Sequence, residues 1–195
     1  MVIWQDRIVA SYVALLRGIN VGGKNRIAMP ELREIVAGLG HSDVDTYVQS
    51  GNVVFSSRQR DARKLAEAIE QAIARRLGIH PAVVVITGQQ LARVVAHNPY
   101  PMETNPKCLH AVFRRLAMSS AEVAAVDDAR RRAAEKGGRD EVTVMGSVLY
   151  LRTPDGLGRS DLAARLARLG ASSPETAGTA RNWTTVTALL ALVDA

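Results

Sequence analysis

The chain has 195 residues, of which 47% are hydrophobic and 23% are charged, and its formal net charge is +6. These proportions are typical of a folded globular protein with enough apolar surface for a core, and they exclude fibrous and wholly disordered chains. The basic excess invites phosphate or nucleic acid as a partner. However, the cations are spread over both halves of the chain and form no basic tail.

The N-terminus and the cysteine content indicate a cellular location. The single cysteine, Cys108, cannot form a disulfide within the chain, which is typical of a reducing compartment. Gln5, Asp6 and Arg7 interrupt the first apolar stretch, so no signal peptide is predicted. No segment approaches the roughly 18 continuous apolar residues of a transmembrane helix. We therefore expect a cytoplasmic protein with no membrane association.

The first half of the chain has the element order of a ferredoxin-like sandwich, βαββαβ, followed by a short helix. Apolar periodicity and turn residues predict these elements. They are a strand at 8–16, a helix that Pro30 opens and Gly40 closes, a hairpin of 44–48 and 53–55 around the turn 49–52, a helix with an apolar stripe from Leu65 to Leu77 that ends at Gly78, a strand at 82–86, and a short helix that Thr87 caps.

The same order recurs after a proline-punctuated segment at 98–107. Its predicted elements are a strand at 109–115, a helix opened by the capping box of Ser119 and Glu122, a hairpin of 141–145 and 148–152 across a type II′ turn at Gly146-Ser147, a helix that Ser160 caps and Gly170 ends, and a final helix near 184–193.

Two copies of one plan predict an α+β fold of two tandem ferredoxin-like (α/β-plait) sandwiches, with antiparallel sheets and helices on one face. The predicted units are residues 1–98 and 108–195, with a linker at 99–107. A doubly wound parallel sheet is the alternative. The hairpins disfavour it, because a hairpin makes neighbouring strands antiparallel.

The most unusual segment is RGINVGGKNR, residues 17–26, between the first strand and the first helix. Its glycines free the backbone to turn N–H groups inward, three cations surround them, and a helix N-terminus follows, all of which favour a bound anion. The segment is not a P-loop, because Asn25 stands where GxxxxGK requires Ser or Thr. The glycine spacing also excludes GxGxxG.

Strand direction predicts which second segment joins this loop. The first and second strands of a ferredoxin-like unit run parallel, so the loop after the first strand and the hairpin turn after the second lie at one sheet edge. We expect a site there for a small phosphate- or carboxylate-bearing ligand. Alternatively, the glycines and asparagines serve the turns and the cations are solvated. The candidate residues are Arg17, Asn20, Gly22, Gly23, Lys24, Asn25, Arg26, Gln49, Ser50 and Asn52.

Three motifs carry a resemblance to a known family: ALLRGINVGGKN at 14–25, YVQSGNVVF at 47–55 and ARNWTTVT at 180–187. Together they resemble the bacterial family called domain of unknown function 1697, over nearly the whole chain after the first few residues. The resemblance implies a tandem ferredoxin-like fold. It implies no established activity and no catalytic residue.

The late motif has two interpretations. Arg181, Asn182 and Trp183 precede the last helix, for which Thr184 or Thr185 is the predicted N-cap. In a structural role, Trp183 fills the interface between the halves and Asn182 satisfies backbone groups. In a functional role, Arg181 joins the glycine-rich loop and adds another cation to the same anion, which makes it a further candidate ligand-binding residue.

No catalytic or metal centre is predicted. The four histidines lie far apart, and no spacing matches a set of metal ligands. Cys108 would need a partner base to act as a nucleophile. Acidic pairs such as Asp127-Asp128 lie where solvated charge is usual, which makes them poor general acids or bases. No cofactor is predicted, no reaction type follows, and whether the protein is an enzyme stays open.

Three functions are hypothesised, in this order: binding of a small anionic ligand, assembly of the paired sheets into an oligomer, and binding of nucleic acid. Ferredoxin-like sheets bind RNA through exposed aromatic residues on central strands. Aromatic residues are only 4% of this chain, and Tyr12 and Phe55 would make a thin platform. The sequence contains no information about oligomer symmetry.

Overall fold

A computed structural model describes residues 9–23, 25–170 and 176–193. The chain divides into two compact units. Unit 1 comprises residues 1–91 and 189–195, and unit 2 comprises residues 92–188. None of the helices in the described ranges is long and apolar enough to cross a membrane.

Unit 1 contains a four-stranded sheet in which every neighbouring pair is antiparallel. Its elements are β1 (Ala10–Leu16), α1 (Met29–Ala37), β2 (Ser42–Tyr47), β3 (Asn52–Ser57), α2 (Ala62–Leu77) and β4 (Val83–Thr87), followed by α3 (Gly88–Ala96). The strand order is β2-β3-β1-β4. This is the predicted ferredoxin-like plait, and its antiparallel pairs are incompatible with a doubly wound parallel sheet.

Capping residues set the ends of the helices in unit 1. The Asp61 carboxylate accepts hydrogen bonds from the backbone N–H groups of Arg63 and Lys64 at the start of α2, and Gly78 ends that helix with a left-handed φ of 65°. The Thr87 hydroxyl accepts from the Gln90 N–H at 3.0 Å, which caps α3 as predicted.

Helix α1 ends earlier than the sequence predicts, at Ala37 rather than at Gly40. The Gly38 N–H donates to the Glu34 carbonyl at 2.9 Å and completes the last helical turn. Gly40, with a φ of 85°, instead forms the reversal that leads into β2. Gly40 therefore permits the chain reversal, whereas the helix itself ends three residues earlier, at Ala37.

The core of unit 1 lies between one face of the sheet and the helices α1 and α2. Alternate residues of the strands face it, among them Tyr12, Ala14, Leu16, Val53, Phe55 and Val85, and they pack with Leu32, Ile69 and Ile73 of the helices. The opposite face is buried as well, since Val13, Leu15, Val54, Val84 and Ile86 are at most 8% exposed. This double burial explains why the strands are continuously apolar.

Unit 2 contains a second sheet of the same kind. Its elements are β5 (Leu109–Phe113), α4 (Ser120–Ala134), β6 (Glu141–Met145), β7 (Val148–Arg152), α5 (Asp161–Leu169), β8 (Thr179–Asn182) and α6 (Trp183–Val193), with a 3-10 turn at Leu157–Arg159. The strand order is β6-β7-β5-β8, again antiparallel throughout. Helices α3 and α6 each contribute residues to both units.

Local signals in unit 2 are confirmed. Ser119 and Glu122 form the predicted capping box at the start of α4. The Ser160 hydroxyl accepts from the Ala163 N–H at 2.7 Å at the start of α5. The β6–β7 hairpin has the predicted two-residue loop, in which Gly146 has a φ of 60° as a type II′ turn requires.

Strand β8 was not predicted, and it completes the second plait. Its sequence, Thr-Ala-Arg-Asn, has no apolar run, but it pairs with β5 from Phe113–Thr179 to His110–Asn182. The prediction that Thr184 or Thr185 caps the last helix is wrong. Helix α6 begins at Trp183, and the Asn182 side chain accepts from the Thr185 N–H at 2.9 Å, so Asn182 is the capping residue.

The predicted linker, residues 99–107, contacts the sheet and last helix of unit 2. The Tyr100 hydroxyl lies 3.0 Å from the Thr143 hydroxyl, Arg152 donates to Glu103 at 2.8 Å, and the Trp183 N–H donates to the Pro106 carbonyl at 3.2 Å. The predicted domain boundaries, residues 1–98 and 108–195 on either side of this linker, stay a prediction.

Candidate functional site

The glycine-rich loop runs from the end of β1 to the start of α1. Its described residues with left-handed φ are Gly18 (68°), Asn20 (55°), Gly22 (60°), Gly23 (76°) and Asn25 (50°). Glycine adopts this conformation without steric cost, and asparagine tolerates it better than most residues. The path of the backbone therefore explains the loop's composition. Lys24, a predicted site residue, lies outside the described residues.

The two asparagine side chains bond the backbone of the loop. The Asn20 amide nitrogen donates to the carbonyls of Ile27 at 3.0 Å and Gln49 at 2.8 Å, and the Asn20 amide oxygen accepts from the Ile27 N–H at 2.9 Å. The Asn25 amide donates to the Gly18 carbonyl at 3.1 Å. These contacts agree with the alternative interpretation of the sequence, in which the asparagines stabilise the turns of the loop and do not bind a ligand.

The β2–β3 turn lies against the loop, at the sheet edge that strand direction predicts. The Leu16 N–H donates to the Gly51 carbonyl at 2.8 Å, next to the bond from Asn20. Gly51 has a φ of 74°, and a Cβ at this position would lie 2.7 Å from Cδ1 of Ile19. This close approach requires glycine. The loop and the turn are therefore direct neighbours.

The predicted polar residues of the turn have different exposure. Asn52 is fully buried and donates to the Tyr47 carbonyl and the Ser50 hydroxyl, both at 2.9 Å. Gln49 is exposed and accepts the Asn20 bond through its backbone carbonyl. The contacts of Asn52 thus hold the turn together, and the Gln49 side chain lies at its surface.

A depression of about 360 Å³ opens beside the loop and is lined by Asn20, Gly23, Arg26, Ile27 and Ala28. Arg26 is exposed and Arg17 is half-buried, and neither forms an ion pair with a residue in the described ranges. Ala28 is the N-cap of α1 and supplies no side-chain hydrogen bond to the first N–H groups of that helix. The depression therefore combines an unpaired guanidinium with the positive end of a helix.

Arg181 lies on β8 in unit 2, whereas the loop belongs to unit 1. Its side chain is buried, and Nη1 donates to the Thr179 hydroxyl at 2.7 Å and to the Ala180 carbonyl at 2.9 Å. Burial lowers the pKa of Arg181 to about 10, which leaves the guanidinium charged at neutral pH. These hydrogen bonds hold the Arg181 guanidinium beside β8, the strand to which Arg181 itself belongs.

Trp183 is half-buried in unit 2. The centroid of its ring lies 6.3 Å from that of Tyr150, whose hydroxyl donates to the Val94 carbonyl at 3.0 Å. Its role at an interface between the two halves stays a prediction.

Arg114 is a buried charge that the sequence reasoning missed. It follows β5 directly, is 5% exposed, and donates to the Thr176 carbonyl and to the Glu122 carboxylate. Its Nη1 is buried and has no hydrogen-bond partner within the described ranges. Hydrogen bonds from Ser119, and then that from Arg114, lower the pKa of Glu122. The available signal was an arginine at the end of an apolar strand, shortly before a capping box.

The remaining candidates do not come together. No group of three or more His, Cys, Asp or Glu side chains that could hold a metal ion is found within the described ranges. His41 is in unit 1 and His110 in unit 2. Cys108 is half-buried, with its sulfur 3.8 Å from the Pro154 carbonyl.

The aromatic platform considered for nucleic-acid binding is buried. Tyr12 and Phe55 are each 2% exposed and stack with ring centroids 5.6 Å apart, in the core that α1 and α2 cover. Bases can stack only on rings that they can reach. The thin platform that these two rings would have made for nucleic acid is therefore not accessible in the structure.

Comparison with known proteins identifies relatives by sequence and by fold. A family model described as "Protein of unknown function (DUF1697)" matches residues 9–150, so the late motif at 180–187 lies beyond the match. The solved structure of the conserved bacterial protein SP0830 from Streptococcus pneumoniae is similar, with 20% sequence identity, a TM-score of 0.67, and coverage of 95% of this chain and 99% of that chain. At this identity the likeness shows the fold alone. No curated protein matches the chain. Because the family model covers most of the chain, the protein belongs to the DUF1697 family of proteins of unknown function.

Proposed function

We propose that the protein binds a small phosphate- or carboxylate-bearing anion at the glycine-rich edge of unit 1. The depression lined by Gly23, Arg26 and Ala28 carries this proposal, because there an unpaired guanidinium lies beside a helix start without a side-chain cap. Helix N–H groups and cations that converge on one space favour an anion. Arg17 and Lys24 add cations to the same loop in the sequence.

The ion pairs of the described residues show which guanidinium groups are already engaged, and Arg75 in the last turn of α2 resembles Arg26 in having no carboxylate partner among them. Arg33, Arg152 and Arg165 each have a carboxylate partner at 3.3 Å or less. Arg17 and Arg26 have no such partner in the described part of the chain. An unpaired guanidinium retains its donors for a planar or tetrahedral anion.

The equivalent connection in unit 2 provides an internal contrast. Residues 114–119 join β5 to α4, and the capping box of Ser119 and Glu122 satisfies the first N–H groups of that helix. In unit 1 the connection is longer, from 17 to 28, and its N-cap is an alanine. The start of α4 is therefore capped by side chains, whereas the start of α1 has no side-chain cap.

The candidate residues take two roles in this proposal. Guanidinium, ammonium and backbone N–H groups contact the anion, from Arg17, Gly22, Gly23, Lys24 and Arg26. Amide, hydroxyl and backbone groups shape the loop and the turn, from Asn20, Asn25, Gln49, Ser50 and Asn52. Whether Arg181 contributes is tested separately, by comparing Arg181→Gln with the wild type in the same titration.

Thermal-shift assays and calorimetry test the proposal, with inorganic phosphate, sulfate, a nucleotide and a dicarboxylate as probes at constant ionic strength. A ligand that binds only the folded state at a hundredfold excess over its Kd adds about 2.7 kcal/mol to the free energy of unfolding. We expect at least one probe to raise Tm in this way. The double variant Arg17→Gln with Arg26→Gln should lose the shift.

The matched control is Arg75→Gln, which removes an exposed cation from the last turn of α2 in the same unit. It should keep the shift, because Arg75 lies outside the loop. If Arg75→Gln lost the rise in Tm to the same extent, the effect would come from the net charge of the protein and not from the loop, which would contradict the proposal. The absence of any rise in Tm with the wild type would also overturn it.

The two alternative functions have distinct outcomes in related measurements. Affinity that grows with the length of an RNA or DNA probe and falls steeply with salt would favour nucleic-acid binding. A concentration-dependent mass in light scattering would favour assembly into an oligomer. We also propose a cytoplasmic location, on the ground of the single, unbridged Cys108, which fractionation of expressing cells checks.

A further inference from the structure

We propose that Asn20 is the positioning residue of the anion site and not one of its direct ligands. Its side-chain amide holds the loop closed, so that Gly23 and Arg26 line the depression. This inference rests on the proposed anion site, and it adds the device that keeps the site in shape.

The Asn20 side chain has no hydrogen-bond donor left with which to bind the anion directly. An asparagine side chain has two N–H donors and one oxygen acceptor. Both donors of Asn20 are used, one on the Ile27 carbonyl and one on the Gln49 carbonyl, and the oxygen accepts from the Ile27 N–H. An anion accepts hydrogen bonds but cannot donate them, so Asn20 would have to give up a bond within the protein to contact it.

The same bonds close the loop at both ends. Two hydrogen bonds join the Asn20 amide to the backbone of Ile27, seven residues later, and the Asn20 N–H donates to the Asn25 carbonyl at 3.1 Å. The described residues 21–23, 25 and 26 thus lie between two positions that one side chain ties together. Arg26 directly precedes Ile27, so this closure also sets where its backbone lies.

The third bond attaches the closed loop to a rigid support. Gln49 belongs to the β2–β3 turn, which Asn52 braces from within and in which Gly51 lies against Ile19. The Asn20 amide therefore connects the loop to a part of the sheet whose geometry is already set. Sites held on such elements keep their geometry better than free loops.

Two substitutions separate the bonds from the backbone conformation. Asn20 has a left-handed φ of 55°, which glycine accepts and aspartate tolerates. Asn20→Gly keeps the backbone path and removes the amide, whereas Asn20→Asp keeps an acceptor oxygen and removes both donors. The matched controls are Asn25→Gly and Asn25→Asp. Asn25 has a φ of 50° and makes a single side-chain bond, to the Gly18 carbonyl.

The experiment combines amide hydrogen exchange with titration of inorganic phosphate, followed by the ¹⁵N shifts of Gly22 and Gly23. In Asn20→Gly we expect the protection of the Ile27 amide and the affinity for phosphate each to fall by about tenfold or more, while the amides of β1 and β3 keep their wild-type shifts. Asn20→Asp should lower the affinity for phosphate likewise but keep more of the Ile27 protection, because its carboxylate retains an acceptor for the Ile27 N–H. The Asn25 variants should change both quantities much less, and Asn25→Asp controls for the added charge.

The outcomes distinguish this inference from the proposed function. If the wild type binds phosphate and Asn20→Gly binds it equally well, the positioning role is overturned and the anion site stands. Unchanged protection of the Ile27 amide in Asn20→Gly overturns the closure itself, whatever the affinity. If no anion perturbs Gly22 or Gly23 in the wild type, the proposed function fails, and the positioning role fails with it.

Discussion

Val48 shows how a single residue can be held in a costly conformation. The described non-glycine residues with left-handed φ are Asn20, Asn25, Asp43 and Val48. Asparagine and aspartate tolerate this region, but a β-branched residue is disfavoured in it. The Val48 side chain is 50% exposed, so little packing offsets the strain. Its place in the turn beside Gln49 makes it a residue of the site's support.

Replacing Val48 with asparagine is expected to stabilise the protein. Asparagine accepts the left-handed φ, so Val48→Asn should raise the free energy of unfolding by about 1 kcal/mol in urea denaturation. Val21→Asn is the control, because Val21 is 68% exposed in the glycine-rich loop and its φ is not left-handed. A gain of the same size in both variants would show that polarity, and not strain, is responsible.

The left-handed turns of the glycine-rich loop were predictable from its composition, but the hydrogen-bond partners of its asparagines were not. Glycines and asparagines between a strand and a helix indicate left-handed turns, and Arg17 and Arg26 were apparent as cations. The partners of Asn20 depend on Ile27 and on a turn about thirty positions away. A sequence pattern does not show which residues that lie so far apart in the chain come into contact.

At the scale of elements, the end of α2 at Gly78, the caps of α3, α4 and α5 and the β6–β7 hairpin followed the sequence closely, whereas α1 ended earlier than predicted. The β6–β7 hairpin has the predicted bounds, because a two-residue turn with glycine first determines its own register. Strand β8 was missed because a strand of four residues with no alternating pattern is defined only by its pairing with β5. The start of α6 was displaced for the same reason, since β8 leads directly into it.

The capping box of α4 makes a testable contribution to the stability of unit 2. Ser119→Ala removes the hydroxyl that accepts from the Glu122 N–H, and we expect a loss of about 1 kcal/mol in the free energy of unfolding. Ser120→Ala, one residue later and exposed, should change it little. Glu122→Gln should cost more than Ser119→Ala, because it also removes the charge opposite the buried Arg114. Equal effects of the two serine variants in denaturant unfolding would contradict this.

At the scale of the whole molecule, the described part of each unit contains a histidine with a buried ring nitrogen that has no hydrogen-bond partner among the described residues. These are Nε2 of His41, which stacks on Phe55 at 4.9 Å, and Nδ1 of His110 on β5. Burial lowers the pKa of both rings below the ordinary value of 6.5. The unfolded chain therefore binds these protons more tightly than the folded protein does.

This difference predicts a loss of stability as the pH falls below 6.5, with the full contribution present above it. Denaturant unfolding at about pH 7.5 and about pH 5.5 measures it, and carboxylates contribute little there because they titrate near pH 4. His41→Gln and His110→Gln should each reduce the pH dependence. His80→Gln, at an exposed position, should leave it unchanged. Stability that is independent of pH in this window would contradict the prediction.

The sequence by itself determined the features that depend on neighbours in the chain. These are the two plaits, the helix caps at Thr87, Ser119 and Ser160, the hairpin turns and the concentration of glycine and cations in one loop. Periodicity and capping act over a few residues, so a linear pattern is enough to predict them.

Only the tertiary structure decided which distant groups meet. It buried Tyr12 and Phe55, paired β8 with β5, and used both donors of Asn20 on Ile27 and Gln49. Each of these depends on chain segments that folding brings together. The proposed anion site therefore begins as a local motif, and the loop that forms it is held by a hydrogen bond from Asn20 to a distant turn.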